Sequence, residues 1–167
     1  MTFRFKLYRI TTVLALLISA FFVLSAVLSL AIAGPNISIL LPFIMVVACF
    51  IHSILSIYLQ RSLSSPDLPL KENTPSGIRI MGILGLIFAF MLLMSGFFAV
   101  TIPAEQMKDL LKQLPPEQQA SIQSDMFKLL GKICLFAGVV FIVNINLSFR
   151  FLRQWQELHQ GKGEDGE

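Results

Sequence analysis

Ionised side chains are missing from a long part of this 167-residue chain: residues 10–59 contain no Asp, Glu, Lys or Arg. These fifty uncharged residues are far more than a soluble core requires, whereas about 20 apolar residues are enough to cross one bilayer. Gly34-Pro35-Asn36 interrupts the stretch near its middle. The stretch therefore predicts a membrane hairpin of two spanning helices.

Charge is scarce in the whole chain as well, since 14% of its residues are charged and 55% are hydrophobic. An average soluble domain has about 25% charged residues. The composition therefore predicts a multi-pass membrane protein whose main partner is the lipid bilayer, with no separate soluble domain. Because the Lys and Arg residues are scattered at the ends of the predicted helices and form no dense basic tract, we expect no nucleic-acid partner.

The hydropathy pattern fits four membrane spans, with both termini on the cytoplasmic side of the plasma (inner) membrane. The predicted segments are a basic N-terminus (1–9), span one (10–33), span two (37–59), a cytoplasmic loop (60–79), span three (80–102), an outer segment (103–128), span four (129–149) and a cytoplasmic tail (150–167). This topology places nine Lys and Arg residues inside and four outside, which together account for all 13. The bias follows the positive-inside rule. The same topology places three amphipathic aromatic residues at the inner boundary, namely Tyr8, Tyr58 and Trp155.

Residues 31–33, with the sequence Ala-Ile-Ala, follow a basic segment and an apolar run, as does the cleavage site of a secretory leader. The apolar run before them is longer than 20 residues, whereas the apolar region of a leader has about 7–15. We therefore expect residues 1–33 to be retained as the first span. Cleavage is the alternative, and it would leave the topology of the remaining chain unchanged.

The outer segment 103–128 is the one sizeable polar region of the sequence. Apolar residues recur in it at helical spacing both before and after Pro115-Pro116. This pattern predicts an amphipathic helical hairpin on the outer membrane surface or capping the bundle, with a lid over a binding site as the alternative. The predicted fold is thus an all-α integral membrane protein, a four-transmembrane-helix bundle with this hairpin between spans three and four.

Small residues form regular patterns in two of the spans. In span three, Gly82, Ala89 and Gly96 are seven residues apart and Gly85 lies between them, which keeps them on one seam of a left-handed helix pair. In span one, the spacing is four residues, at positions 25, 29 and 33. Both patterns predict faces that another helix approaches closely, although glycine is also common in membrane helices without such a role.

No charged side chain lies deep within a predicted span, which removes the usual evidence for an ion pathway, a proton relay or a voltage sensor and leaves a set of neutral polar groups. His52 and Ser56 share one face of span two, and Asn144 and Ser148 share one face of span four at a similar predicted depth. Because unsatisfied polar groups are costly in lipid, we expect a structural polar cluster between the helices. The alternative is a His52 that titrates or carries protons.

Signatures of enzymes are absent from the sequence. It has no paired histidines with a carboxylate at metal-ligand spacing, no glycine-rich phosphate loop and no serine in a nucleophile elbow. The different predicted depths of Cys49 and Cys134 argue against a disulfide bond. We therefore predict no catalytic, cofactor-binding or metal-binding residues.

The leading functional hypothesis is a non-enzymatic membrane protein that acts through helix packing, either as a homo-oligomer or with a partner in a membrane complex. The glycine seam of span three motivates it. The alternative is a small transporter or channel subunit whose path runs past His52 and Asn144.

Overall fold

The structure is a computed structural model, which describes residues 3–34, 36–65, 70–103, 105–106 and 124–160. Four α-helices account for nearly all of these residues: α1 (Phe3–Ala33), α2 (Ile37–Ser64), α3 (Thr74–Thr101) and α4 (Ser124–Gln160). No β-strand occurs in the described ranges. Each of the four helices is long and apolar enough to cross a membrane. The predicted all-α fold with four candidate spans is therefore confirmed.

The helices extend beyond the predicted spans because basic and polar residues at a membrane boundary do not end a helix. Water solvates their side chains while the backbone hydrogen bonds continue. As a result, α2 runs through Arg61 to Ser64 and α3 begins at Thr74, so both helices include residues of the segment 60–79. Most of the predicted outer hairpin, at 107–123, and the end of the tail, at 161–167, lie outside the described residues.

The turn between α1 and α2 lies where the uncharged stretch is interrupted. Gly34 has a φ of 75°, a left-handed conformation that glycine adopts without steric cost. Its amide donates a 3.0 Å hydrogen bond to the carbonyl of Leu30, which closes the end of α1. Asn36 caps α2, since its Oδ1 accepts a 3.1 Å hydrogen bond from the amide of Ser38. Local sequence therefore determines this reversal of the chain.

The chain divides into two compact units, the first comprising Met1–Phe88 and Val140–Glu167 and the second Ala89–Val139. The first unit contains segments of all four helices and has an aromatic and aliphatic core. The Phe151 ring is stacked on that of Tyr8 at a centroid distance of 5.0 Å, and it meets Phe5 edge to face at 5.6 Å. The core is completed by Leu59, Ile78 and Leu152.

The second unit pairs the C-terminal part of α3 with the N-terminal part of α4. Glycines allow close approach here: a methyl carbon added to Gly96 would lie 2.7 Å from the carbonyl oxygen of Gly131. One added to Gly138 would lie 2.8 Å from the side chain of Leu93. The two helices thus pack with their backbones nearly in contact, as small residues permit in membrane proteins.

Large hydrophobic side chains remain exposed along all four helices. Leu24 in α1, Ile37 in α2, Phe90 in α3 and Phe136 in α4 are each more than half exposed. Soluble monomers rarely expose apolar surface so extensively. Hydrocarbon is the environment that such surfaces match, and the structure is accordingly compatible with a multi-pass membrane protein.

Candidate functional site

In the first unit, α2 and α4 run parallel to each other because each is antiparallel to α3. The directions follow from the residues beside two glycines of α3. The neighbouring pairs are Gly82–His52 and Gly85–Cys49 between α3 and α2, and Gly82–Phe149 and Gly85–Ile145 between α3 and α4. As residue numbers rise along α3, those of its neighbours fall in both other helices. Two residues at the same height on α2 and α4 are therefore followed, the same number of residues further along each helix, by two residues that again share one height.

Three buried hydroxyl groups, which we call the hydroxyl triad, join α1, α2 and α4. The Oγ atoms of Ser56 and Ser148 are 2.7 Å apart, and the Oγ of Ser148 lies 2.9 Å from the Oη of Tyr8. Ser56 Oγ also donates to the carbonyl of His52 at 2.8 Å. The triad residues Tyr8, Ser56 and Ser148 are completely buried, so each hydroxyl is hydrogen-bonded within the protein, as low-dielectric surroundings require.

A second polar group, the amide cluster, consists of Thr12, Gln60 and Asn144 on the same three helices. Thr12 Oγ1 accepts a 2.7 Å hydrogen bond from Gln60 Nε2. Two acceptors lie 2.7 Å from the same hydroxyl, the Oδ1 of Asn144 and the carbonyl oxygen of Tyr8. Because a hydroxyl carries a single hydrogen, it donates to one of these acceptors at a time. Thr12 is therefore the residue on which the amide cluster depends.

His52 is almost completely buried but takes part in this network only through its backbone. Its imidazole meets the Phe149 ring edge to face at a centroid distance of 6.4 Å, and its Cδ2 would lie 3.3 Å from a methyl carbon added to Gly82. Among the residues that the structure describes, His52 Nε2 and Asn144 Nδ2 are buried nitrogens without a hydrogen-bond partner. These two atoms are the part of the site with unused hydrogen-bonding capacity.

The four predicted polar residues thus lie at two levels. Ser56 and Ser148 are in direct contact at one level. His52 precedes Ser56 by four residues and Asn144 precedes Ser148 by four, so on parallel helices they lie one turn further along, about 5.4 Å away. The structure shows no hydrogen bond between these two within its described ranges, and the amide oxygen of Asn144 faces Thr12 instead. Chemically, this neutral site offers hydrogen bonds and no fixed charge.

The small residues of the predicted seam all lie against helices of the same chain. In the first unit, Gly82 and Gly85 face α2 and α4. In the second unit, Ala89 is fully buried and Gly96 lies against α4. The seam therefore contributes to packing within the chain, and its surface is already covered.

Sequence reasoning missed Tyr8, Thr12 and Gln60. Tyr8 was expected at the membrane boundary with Tyr58 and Trp155, and Gln60 was assigned to the loop. A signal was present, because Gln60 follows Ser56 by four residues and extends the polar face that begins at His52. Tyr8 and Thr12 have the same spacing in α1.

In the described part of the chain, no three His, Cys, Asp or Glu side chains lie close enough together to hold a metal ion. Both cysteines are free thiols. No protein-family model, curated protein or solved structure matches this chain.

Proposed function

We propose that the protein is a small non-enzymatic membrane protein that acts by packing α1 against a second copy of itself. The observation that carries this proposal is the sparse coverage of α1. In its most apolar 18-residue window 11% of the residues are buried, compared with 28% in each of the other three helices. Because the rest of the chain buries so little of α1, this spanning helix retains exposed surface that another helix can contact.

The exposed surface of α1 includes Ser25 and Ser29, one turn apart. Their hydroxyls donate 2.9 Å hydrogen bonds to the carbonyls of Phe21 and Ser25 in the same helix. Both side chains are thus small and already satisfied, which suits close helix approach in lipid. Because a two-fold axis brings the same patch from both copies together, this pattern requires no other protein.

Cysteine cross-linking in native membranes tests this interface. In a background with alanine at both native cysteines, we expect Ser25→Cys and Ser29→Cys to form disulfide-linked dimers on mild oxidation, because the two α1 helices meet along this face. Val27→Cys is the matched control, since Val27 is also exposed but points to the opposite side of the helix at about 100° per residue. It should remain mainly monomeric.

Monomers at all three positions would refute the interface. Equal cross-linking at Ser25 and Val27 would indicate random collision rather than a defined face. Adducts heavier than a dimer of this chain would assign the face to a different partner in a membrane complex.

A second candidate function is a small transporter or channel subunit that moves protons past His52. It is supported by the unpartnered nitrogens of His52 and Asn144 at one level of the first unit.

We expect proteoliposomes to dissipate a pH gradient faster than empty liposomes, and His52→Ala to abolish the difference because it removes the titratable ring. Ser53→Ala is the control, since within the described ranges the buried Ser53 hydroxyl bonds only to the carbonyl of Cys49 in its own helix. Wild-type vesicles as tight as empty ones would exclude this candidate.

A further inference from the structure

Three grooves lie at the end of the first unit where α1 and α3 begin and α2 and α4 end, which we call the basic end. Each groove combines apolar walls with two basic side chains. The basic pairs are Arg4 with Arg150, Arg79 with Arg153, and Arg61 with Lys71. The first two grooves have volumes of about 470 Å³ and the third about 410 Å³. Each of these grooves therefore has two positive charges in its lining.

The groove of Arg4 and Arg150 differs from that of Arg79 and Arg153 in its charge balance. In the second groove, Arg79 donates a 2.9 Å hydrogen bond to Gln156, and Arg153 forms an ion pair with Glu157 at 3.3 Å. Within the described parts of the chain, the side chains of Arg4 and Arg150 have neither a hydrogen bond nor an acidic partner. Two guanidinium groups thus line one groove with their donors unused.

We propose that this groove binds the phosphate group of an anionic phospholipid. Guanidinium groups bind phosphate oxygens in a bidentate manner and retain their charge at every physiological pH. Arg4 lies in the first turn of α1, where the helix dipole adds a favourable field for an anion. Gln154 lines the same groove and supplies a neutral donor.

The position of the groove favours a lipid over free phosphate. Its remaining walls are aromatic: Phe3 is 79% exposed and Phe151 continues into the core. Exposed phenylalanine rings on a helix with basic residues insert at the boundary between headgroups and acyl chains. Beyond Arg4 the chain enters the uncharged residues 10–33, so acyl chains attached to the bound phosphate would follow apolar helix surface. Basic pockets at helix ends bind acidic headgroups in the same manner.

Binding is tested with the full chain purified in a neutral detergent, using native mass spectrometry and thermal shift. The probes are short-chain phosphatidylglycerol, phosphatidylcholine of the same chain length, and inorganic phosphate. We expect saturable binding and a raised melting temperature with phosphatidylglycerol alone. Arg4→Gln with Arg150→Gln should weaken this binding by about tenfold or more, since two charge-assisted contacts are lost.

The matched control is Lys6→Gln with Arg9→Gln, because both residues are exposed and the pair removes the same two positive charges outside the groove. It should bind phosphatidylglycerol as the wild type does. Arg4→Lys with Arg150→Lys keeps the charge but loses the bidentate geometry, and intermediate affinity is expected. Since both arginines are exposed, the lipid-free melting temperature should be unchanged in all these variants.

Unchanged affinity in Arg4→Gln with Arg150→Gln would overturn the proposal. An equal loss of affinity in the control, Lys6→Gln with Arg9→Gln, would also overturn it, because it would indicate diffuse attraction to the whole basic end. Inorganic phosphate that binds as tightly as phosphatidylglycerol would reassign the groove to free phosphate. The inference does not depend on self-association through α1, because monomeric protein suffices for every measurement.

Discussion

Replacing Gly96 with leucine is expected to destabilise the protein by about 3 kcal/mol or more, toward the upper end of the cost of overpacking. The first added carbon would already lie 2.7 Å from the carbonyl oxygen of Gly131 and 2.9 Å from the amide nitrogen of Leu135. Both are backbone atoms, which cannot rotate away as a side chain can. The helices of the second unit must therefore separate. Reversible unfolding by SDS in mixed micelles measures the change in the free energy of unfolding.

Replacing Gly96 with alanine tests whether the close backbone contact or the helix propensity dominates the change in stability. Alanine is favoured over glycine in a helix interior by about 1 kcal/mol, so Gly96→Ala would stabilise the protein if the clash were absent. We expect a net loss instead. Gly77→Ala is the control in the same helix, because its added carbon meets only the flexible end of Leu55 at 3.0 Å. A gain in stability for both variants would show that the backbones at Gly96 are not in close contact.

The number of helices and the first turn could be predicted from the sequence because hydropathy and local conformation determine them. The helix ends could not. Arg61 lies within the predicted loop 60–79, but the amide of Ser65 donates to its carbonyl at 2.9 Å. A charged side chain at a membrane boundary extends into water while its backbone remains helical, so composition alone does not locate such an end.

The candidate site was only partly predictable, for a related reason. Four-residue spacing identifies a polar face on each helix, and the faces of Ser56 and Ser148 do meet. Which helices bring their faces together depends on packing between distant segments, which periodicity does not encode. The contribution of α1 through Tyr8 and Thr12 therefore could not be inferred. The seven-residue glycine spacing likewise indicated a packed face but not which helix covers it.

Thr12→Val is expected to lower the free energy of unfolding by about 2 kcal/mol, although the substitution preserves the shape of the side chain. The average hydrogen bond between membrane helices is worth only about 0.6 kcal/mol, but loss of this hydroxyl affects two partners at once. Asn144 loses the only hydrogen bond of its buried amide among the described residues. Gln60 retains a 3.4 Å contact with the carbonyl of Tyr8. Each buried polar group that is left without a hydrogen bond costs about 1–3 kcal/mol. Reversible unfolding by SDS in mixed micelles measures the total change in the free energy of unfolding.

Thr11→Val is the matched control, because Thr11 is also buried and bonds to the carbonyl of Tyr8, at 3.1 Å, but its side chain has no hydrogen bond to another helix among the described residues. Its effect should stay below about 0.5 kcal/mol, as expected for a change that strands no partner. Asn144→Leu should also cost less than Thr12→Val, because Thr12 can still donate to Tyr8 and accept from Gln60. If valine at positions 11 and 12 had equal effects, the amide cluster would contribute nothing to the association of α1, α2 and α4. A greater cost for Asn144→Leu than for Thr12→Val would instead make the amide, and not the hydroxyl, the centre of the cluster.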